Sequence, residues 1–149
     1  MTTRHEYHLN GSWLGNRNSM GELSTDNLHT SFSIPTAFSG LGKGTNPEEL
    51  LLSAAAGCYL ITLVTLLGNR QIPFEKVELK STAVIENDRG LRIDRIVHRP
   101  TIFVHEGVDD DEVMELTVHA EHACMVSSAI RGNVKVDVLA TLAVTAAHA

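Results

Sequence analysis

Cys58 and Cys124 are the residues of this sequence best equipped for reactive chemistry. A cysteine is a small hydrophobe when buried, and a nucleophile, redox centre or metal ligand as a thiolate. The N-terminal stretch MTTRHEYHLNGSW has no apolar leader, so a cytoplasmic, reducing setting is expected, in which a permanent disulfide staple is not. The two cysteines are therefore either inert core residues or a redox pair. Both fall on apolar faces of predicted helices, but they stand 66 residues apart, and that spacing alone does not bring them together. A metal is a further option near Cys124. His119 and His122 could share one, yet His122 and Cys124 point in different directions around a helix, and zinc asks for three or four convergent ligands.

Cys58 lies near the middle of residues 45–68, TNPEELLLSAAAGCYLITLVTLLG. From Leu50 to Leu67 there is neither charge nor proline, which predicts one helix. Asn46 suits the N-cap and Pro47 the first position, where a missing N–H costs nothing. Glu49, three residues after the cap, can close a capping box, which leaves Glu48 without capping duty. Gly68-Asn69, with Pro73 just beyond, marks the end. A helix apolar on every face is buried on every face or sits in lipid. The uncharged run is about 18 residues, the lower limit for a membrane span. Ser53, Thr62 and Thr65 dilute it, and it lacks an aromatic belt and basic flanks, so a buried core helix is expected and no membrane partner. A second copy of the chain is the simplest cover for such a helix, so a homodimer is expected.

The 149 residues suit one domain, 1–149, and the net charge of −6 offers no basic footprint for nucleic acid. His5–Leu9 alternates weakly as a strand, residues 14–19 read as a turn carrying Arg17, and Leu28, Thr30, Phe32 and Ile34 mark a half-buried strand. The glycine-rich loop 35–44 lacks the phosphate-loop pattern. After the helix, Val77 to Ile85 keep period two, Asn87-Asp88-Arg89-Gly90 signals a hairpin, and the returning strand slips phase near Arg95-Ile96, as a bulge would cause. Asp109 to Glu112 suit a helix start. Val113, Leu116, Ala120, Ala123, Cys124 and Ser127 continue at helical spacing to the stop at Arg131-Gly132-Asn133. One last strand covers 134–144. The order β-β-α-β-β-α-β gives an α+β fold with two helices packed on sheet.

Gly44-Thr45-Asn46-Pro47-Glu48-Glu49-Leu50, followed by Ala56-Gly57-Cys58, resembles the first cysteine motif of the OsmC/Ohr family of thiol peroxidases. Ala120 to Ser127, AEHACMVS, resembles the family's second cysteine helix. Gly15-Asn16-Arg17, Ser24 to Asn27 and Arg131-Gly132-Asn133 are similar to its organic-hydroperoxide-resistance branch. Two features depart from the pattern. Met125 stands where the family usually has proline, and the loop before the first motif offers Ala37 and Lys43 where the osmotically induced branch has an arginine. The resemblance implies an OsmC-like fold, an antiparallel sheet packed on two helices with a buried central cysteine helix. It further implies an intertwined homodimer with active sites at the subunit interface, and a two-cysteine peroxidase.

Peroxide cleavage needs a thiolate, and a free cysteine supplies only a few per cent of it at neutral pH. Burial in an apolar helix lowers that share, and the helix's own dipole fades well before Cys58. A cation from elsewhere is expected. Arg17 stays charged when buried, and Glu48 is its natural anion. Within the resemblance, Cys58 is the peroxidatic nucleophile, Arg17 its activator, Glu48 the orienter of Arg17, and Cys124 the resolving cysteine of a Cys58–Cys124 disulfide. Apolar neighbours such as Tyr59 favour an alkyl or fatty-acid hydroperoxide. No flavin, haem or nucleotide motif is present, so no bound cofactor is expected and electrons should arrive by thiol exchange, in this family from a lipoyl-type dithiol. Two other classes stay open: a non-catalytic binding protein for an apolar ligand in the dimer-interface pocket, and a metal protein using His119, His122 and Cys124.

Overall fold

The computed structural model describes residues 1–146, which fall into two compact units, one of Met1–Leu50 and one from Leu51 onward. The first unit is an antiparallel meander of β1 (Asn10–Leu14), β2 (Met20–Ser24) and β3 (His29–Phe32). The turn carrying Arg17 joins β1 to β2, as expected. The strand expected at His5–Leu9 is absent and begins at Asn10 instead. Strand β2 was not legible at all. Met-Gly-Glu-Leu-Ser has no β-branched residue, and pairing on both edges, with β1 and β3, decides its conformation. Its Gly21 lies beneath Phe32, whose ring meets Trp13 edge-on at 5.5 Å.

Gly44 ends this unit's loop. Its φ is +69°, and a Cβ there would run into the Ser31 carbonyl, so only glycine fits. The close approach lets the Thr45 N–H donate to Ser31 O at 2.9 Å, fixing where the next helix starts. That helix, α1 (Pro47–Asn69), begins in the first unit and runs on into the second. Its cap forms as the sequence predicts: the Glu49 N–H donates to Asn46 Oδ1 at 2.9 Å, and Asn46 Nδ2 donates back to Glu49 Oε1 at 3.0 Å.

In the second unit, α1 buries the stripe Ala55, Tyr59, Leu63 and Leu67, one residue per turn. By length and composition α1 could cross a membrane. Tyr59, Leu63 and Leu67 of the stripe instead join a core with Ile102 and Val104 of the sheet and with Val113, Leu116 and Ala120 of the following helix. Other apolar positions of α1 stay uncovered, Ile61 at 69% exposure foremost.

The hairpin of β4 (Phe74–Asn87) and β5 (Leu91–His105) turns through Asp88–Gly90, with Gly90 at φ +118°. Pairing jumps from Val84↔Arg95 to Ile85↔Ile93, which leaves Asp94 as the bulged residue, close to the expected slip. Helix α2 (Asp110–Ala123) is capped by Asp109, whose carboxylate accepts from the N–H groups of Asp111 and Glu112. Helix α3 (Met125–Ile130) follows at once.

The last segment forms two strands, β6 (Lys135–Val138) and β7 (Thr141–Thr145), where the sequence suggests one. Both lie parallel to β5, along Arg95–His98 and Thr101–His105. The break falls opposite Arg99-Pro100, and proline has no N–H to offer a neighbouring strand. The α+β class therefore stands, but the second sheet is mixed, not antiparallel, and the described residues form three α-helices where two were expected.

His98 is buried at the heart of this unit. Its ring stacks on Tyr59 at 4.8 Å, and its Nδ1 lies 2.6 Å from Ser81 Oγ. Burial pushes its pKa below the ordinary 6.5, against the opposing pull of Glu121. The unfolded chain takes up the proton near pH 6.5, and the folded chain does so only at lower pH. Stability should thus be fully present above pH 6.5 and fall as the pH drops from there towards the depressed folded pKa. Urea denaturation across this window should show the loss in the parent, and His98→Phe should lose measurably less.

Candidate active site

Cys58 sits mid-helix on α1, half-buried, one residue before the core residue Tyr59. Cys124 is fully buried, and both sulfurs are free thiols. The fold brings them together: the Cys124 side chain is a hydrogen-bond partner of Cys58.

The sequence predicts one helix running through Cys124, and here the structure differs. Helix α2 stops at Ala123. Cys124 is extended, with φ −68° and ψ 121°, and caps the start of α3, its Sγ accepting from the Ser127 N–H at 3.5 Å. The reason is packing. Val113, Leu116 and Ala120 of α2 serve one core cluster, while Val126 and Ile130 of α3 pack on another, formed by Ala55, Ile96 and Val134. Arg131 closes the segment, its guanidinium donating to Glu121 Oε1 at 2.7 Å and to the Glu121 carbonyl at 3.3 Å.

Because α3 starts afresh at Met125, its first N–H groups have no partners within the helix. They serve Cys58. Burial pushes the Cys58 thiol up, but the Cys124 thiol, the N–H groups of Val126 and Met125 and the Thr62 hydroxyl outweigh it, and the net shift is downward. Cys124 goes the other way. Burial and its hydrogen bond to Cys58 push it up, and Ser127 opposes them only in part. The two sulfurs are thus shifted in opposite directions.

The expected cation is not among the groups that lower Cys58. Arg17 lies in the first unit, where its guanidinium donates to the carbonyls of Phe38 at 2.7 Å and Ser39 at 3.1 Å. Glu48 has no capping duty, as read from the sequence, and its Oε2 is buried with no hydrogen-bond partner among the described residues. Within one chain Arg17 and Glu48 do not pair with each other, since Arg17 spends its short bonds on the loop carbonyls. The set His119, His122 and Cys124 is not assembled either. Cys124 is buried against Cys58, while the His122 side chain is 65% exposed.

Sequence reasoning missed the N–H donors of α3 and Ser127. Cysteine is an uncommon cap, and no glycine or proline marks the break. The one available signal was the proline that the resemblance places at position 125, since proline favours the first position of a helix.

The family model for OsmC-like proteins matches residues 40–139. The uncharacterized Bacillus subtilis protein YmaD is 38% identical over 142 residues, covering 93% of this chain and 95% of that protein. The Escherichia coli peroxiredoxin OsmC is 29% identical over 109 residues, covering 71% and 73% of the two. Among solved structures, an organic hydroperoxide resistance protein OsmC from Legionella pneumophila superimposes with a TM-score of 0.74 at 25% identity, over 93% of this chain and 99% of that one.

Met125→Pro should test the N–H donor. Met125 is the first residue of α3, and Cys124 before it already has the extended backbone that proline demands of its predecessor. The fold should survive with its thermal midpoint little changed. Cys58 should lose one donor, so its alkylation by iodoacetamide should require a higher pH than in the parent.

Proposed function

This chain belongs to the OsmC-like protein family, and from that premise we propose that it is a cysteine peroxidase reducing organic hydroperoxides to alcohols. The observation that carries the proposal is the meeting of two free thiols, Cys58 half-buried on α1 and Cys124 buried at the break between α2 and α3, with their acidities shifted in opposite directions. The Cys58 thiolate attacks the terminal peroxide oxygen. The O–O bond breaks, the alkoxide leaves with the electron pair and takes a proton, and Cys58 becomes a sulfenic acid. Cys124 then attacks that sulfur, forming the Cys58–Cys124 disulfide and releasing water. An external dithiol, lipoyl-type by family expectation, reduces the disulfide and is itself oxidised.

Arg17 is the proposed cation for the thiolate and Glu48 its proposed orienter. Glu48 precedes Cys58 by ten residues, about 15 Å along a helix axis, which a glutamate side chain does not span. We assign that carboxylate to the other copy of the chain. Its unpartnered Oε2 supports this, as does the uncovered apolar face of α1 at Ile61 and Val64, which a second copy would bury in a homodimer. The apolar surroundings of Cys58 favour an alkyl or fatty-acid hydroperoxide over hydrogen peroxide. The expected place of action is the cytoplasm.

Cys58→Ser should abolish peroxide consumption, since serine supplies no accessible anion at neutral pH. Cys124→Ser should consume about one equivalent and stall as a sulfenic or over-oxidised product, visible by intact mass. Turnover by the Cys58→Ser protein would refute the assignment. Subunit sharing has its own test. Mixing Cys58→Ser with Glu48→Ala subunits should restore activity through heterodimers with one intact site. Failure despite demonstrated subunit exchange would place the whole site in one chain.

A further inference from the structure

Ser127 is fully buried, and its Oγ has no hydrogen-bond partner among the described residues. An unpaired hydroxyl in a protein interior is destabilising, so its presence asks for a use. Its surroundings suggest one. The Ser127 N–H already points at Cys124 Sγ at 3.5 Å, and the Ser127 side chain is among the groups that pull the Cys124 pKa down, which sets the hydroxyl near the same sulfur although it closes no hydrogen bond there. A neutral thiol is a weak acceptor, whereas a thiolate is a strong one. The hydroxyl therefore lacks a good partner only while Cys124 keeps its proton.

Cys124 must become a thiolate twice in the proposed cycle, on which this inference rests. It attacks the Cys58 sulfenic acid as a thiolate, forming the S–S bond and releasing hydroxide, which takes up a proton to become water. It leaves as a thiolate when the disulfide is reduced. In that step a thiolate of the external dithiol attacks Cys58, the more exposed sulfur. A mixed disulfide forms, the Cys58–Cys124 bond breaks, and the electron pair departs on Cys124. The second thiol of the dithiol then displaces Cys58 and completes a two-electron reduction. A sulfur with no solvent exposure is a poor leaving group unless the protein supplies donors. We propose that Ser127 holds the Cys124 thiolate in both steps, through its hydroxyl and its N–H, and so sets the rates of disulfide formation and of disulfide reduction.

The Ser127→Thr and Ser127→Val variants have nearly the same shape and differ in the hydroxyl, so they form the decisive pair, with Ser127→Ala as a smaller alternative that should fold at least as well as the parent. In stopped-flow measurements with an organic hydroperoxide, the first oxidation of Cys58 should proceed equally in all of them. Formation of the disulfide, and its reduction by a small dithiol, should be slower in the Val and Ala variants by roughly tenfold, the effect of about one unit in thiolate population. The Thr variant should keep the parent rates. In a Cys58→Ser background, which takes no part in peroxide chemistry, the pH at which Cys124 becomes alkylated should rise on Ser127→Ala and hold on Ser127→Thr. That shift, found together with a parent protein that consumes no organic hydroperoxide, would support Ser127 while refuting the peroxidase assignment. Unchanged alkylation in the Ala and Val variants, together with unchanged disulfide kinetics, would overturn the role of Ser127.

Discussion

A sulfur on an apolar helix can ionise only if another element brings it hydrogen-bond donors. Every N–H near Cys58 in α1 is already bonded within the helix, and the positive end of that helix lies at Pro47. The interruption at Cys124 meets the need. One residue with ψ 121° ends α2 and opens α3, and the N–H groups of Met125 and Val126 thereby released help to lower the Cys58 pKa. Val126 and Ile130 hold α3 in place through the cluster around Ile96, and the Arg131–Glu121 ion pair ties together the two flanks of the interruption. The surrounding architecture can be understood as support for this short piece of backbone.

Where a local signal was strong, the fold could be read in advance. Asn46, Pro47 and Glu49 spell a helix start in side-chain chemistry, and the cap forms as written. The acidic run before α2 and the Asp88–Gly90 turn are equally local. What escaped was decided at long range. Strand β2 forms because it has a partner on each edge, and the final strand divides because Pro100 lies on the strand beside it. The break at Cys124 escaped for a related reason. Residues 113–127 keep helical spacing, and only the presence of two separate core clusters makes a straight helix impossible.

The site itself was legible unevenly. The two motifs pointed to Cys58 and Cys124 as a pair, although 66 residues of intervening chain gave no geometric reason for them to meet. The need for help in ionising Cys58 was sound physics. Within the second unit that help comes from neutral dipoles, which carry no desolvation penalty comparable to that of a buried charge.

The parallel pairing of β6 and β7 with β5 bears on how the molecule comes into being. Arg95 waits for Lys135, and Thr101 for Thr141, so the sheet closes over long sequence separations and its loops must be brought together before the contacts repay them. Val134 and Val136 belong to the same cluster that seats α3. Until they dock, α3 has no surface to hold its amides against Cys58, and the sulfur of a nascent chain is an ordinary, mostly protonated thiol. The lowered pKa of Cys58 is therefore acquired only once these long-range contacts have formed.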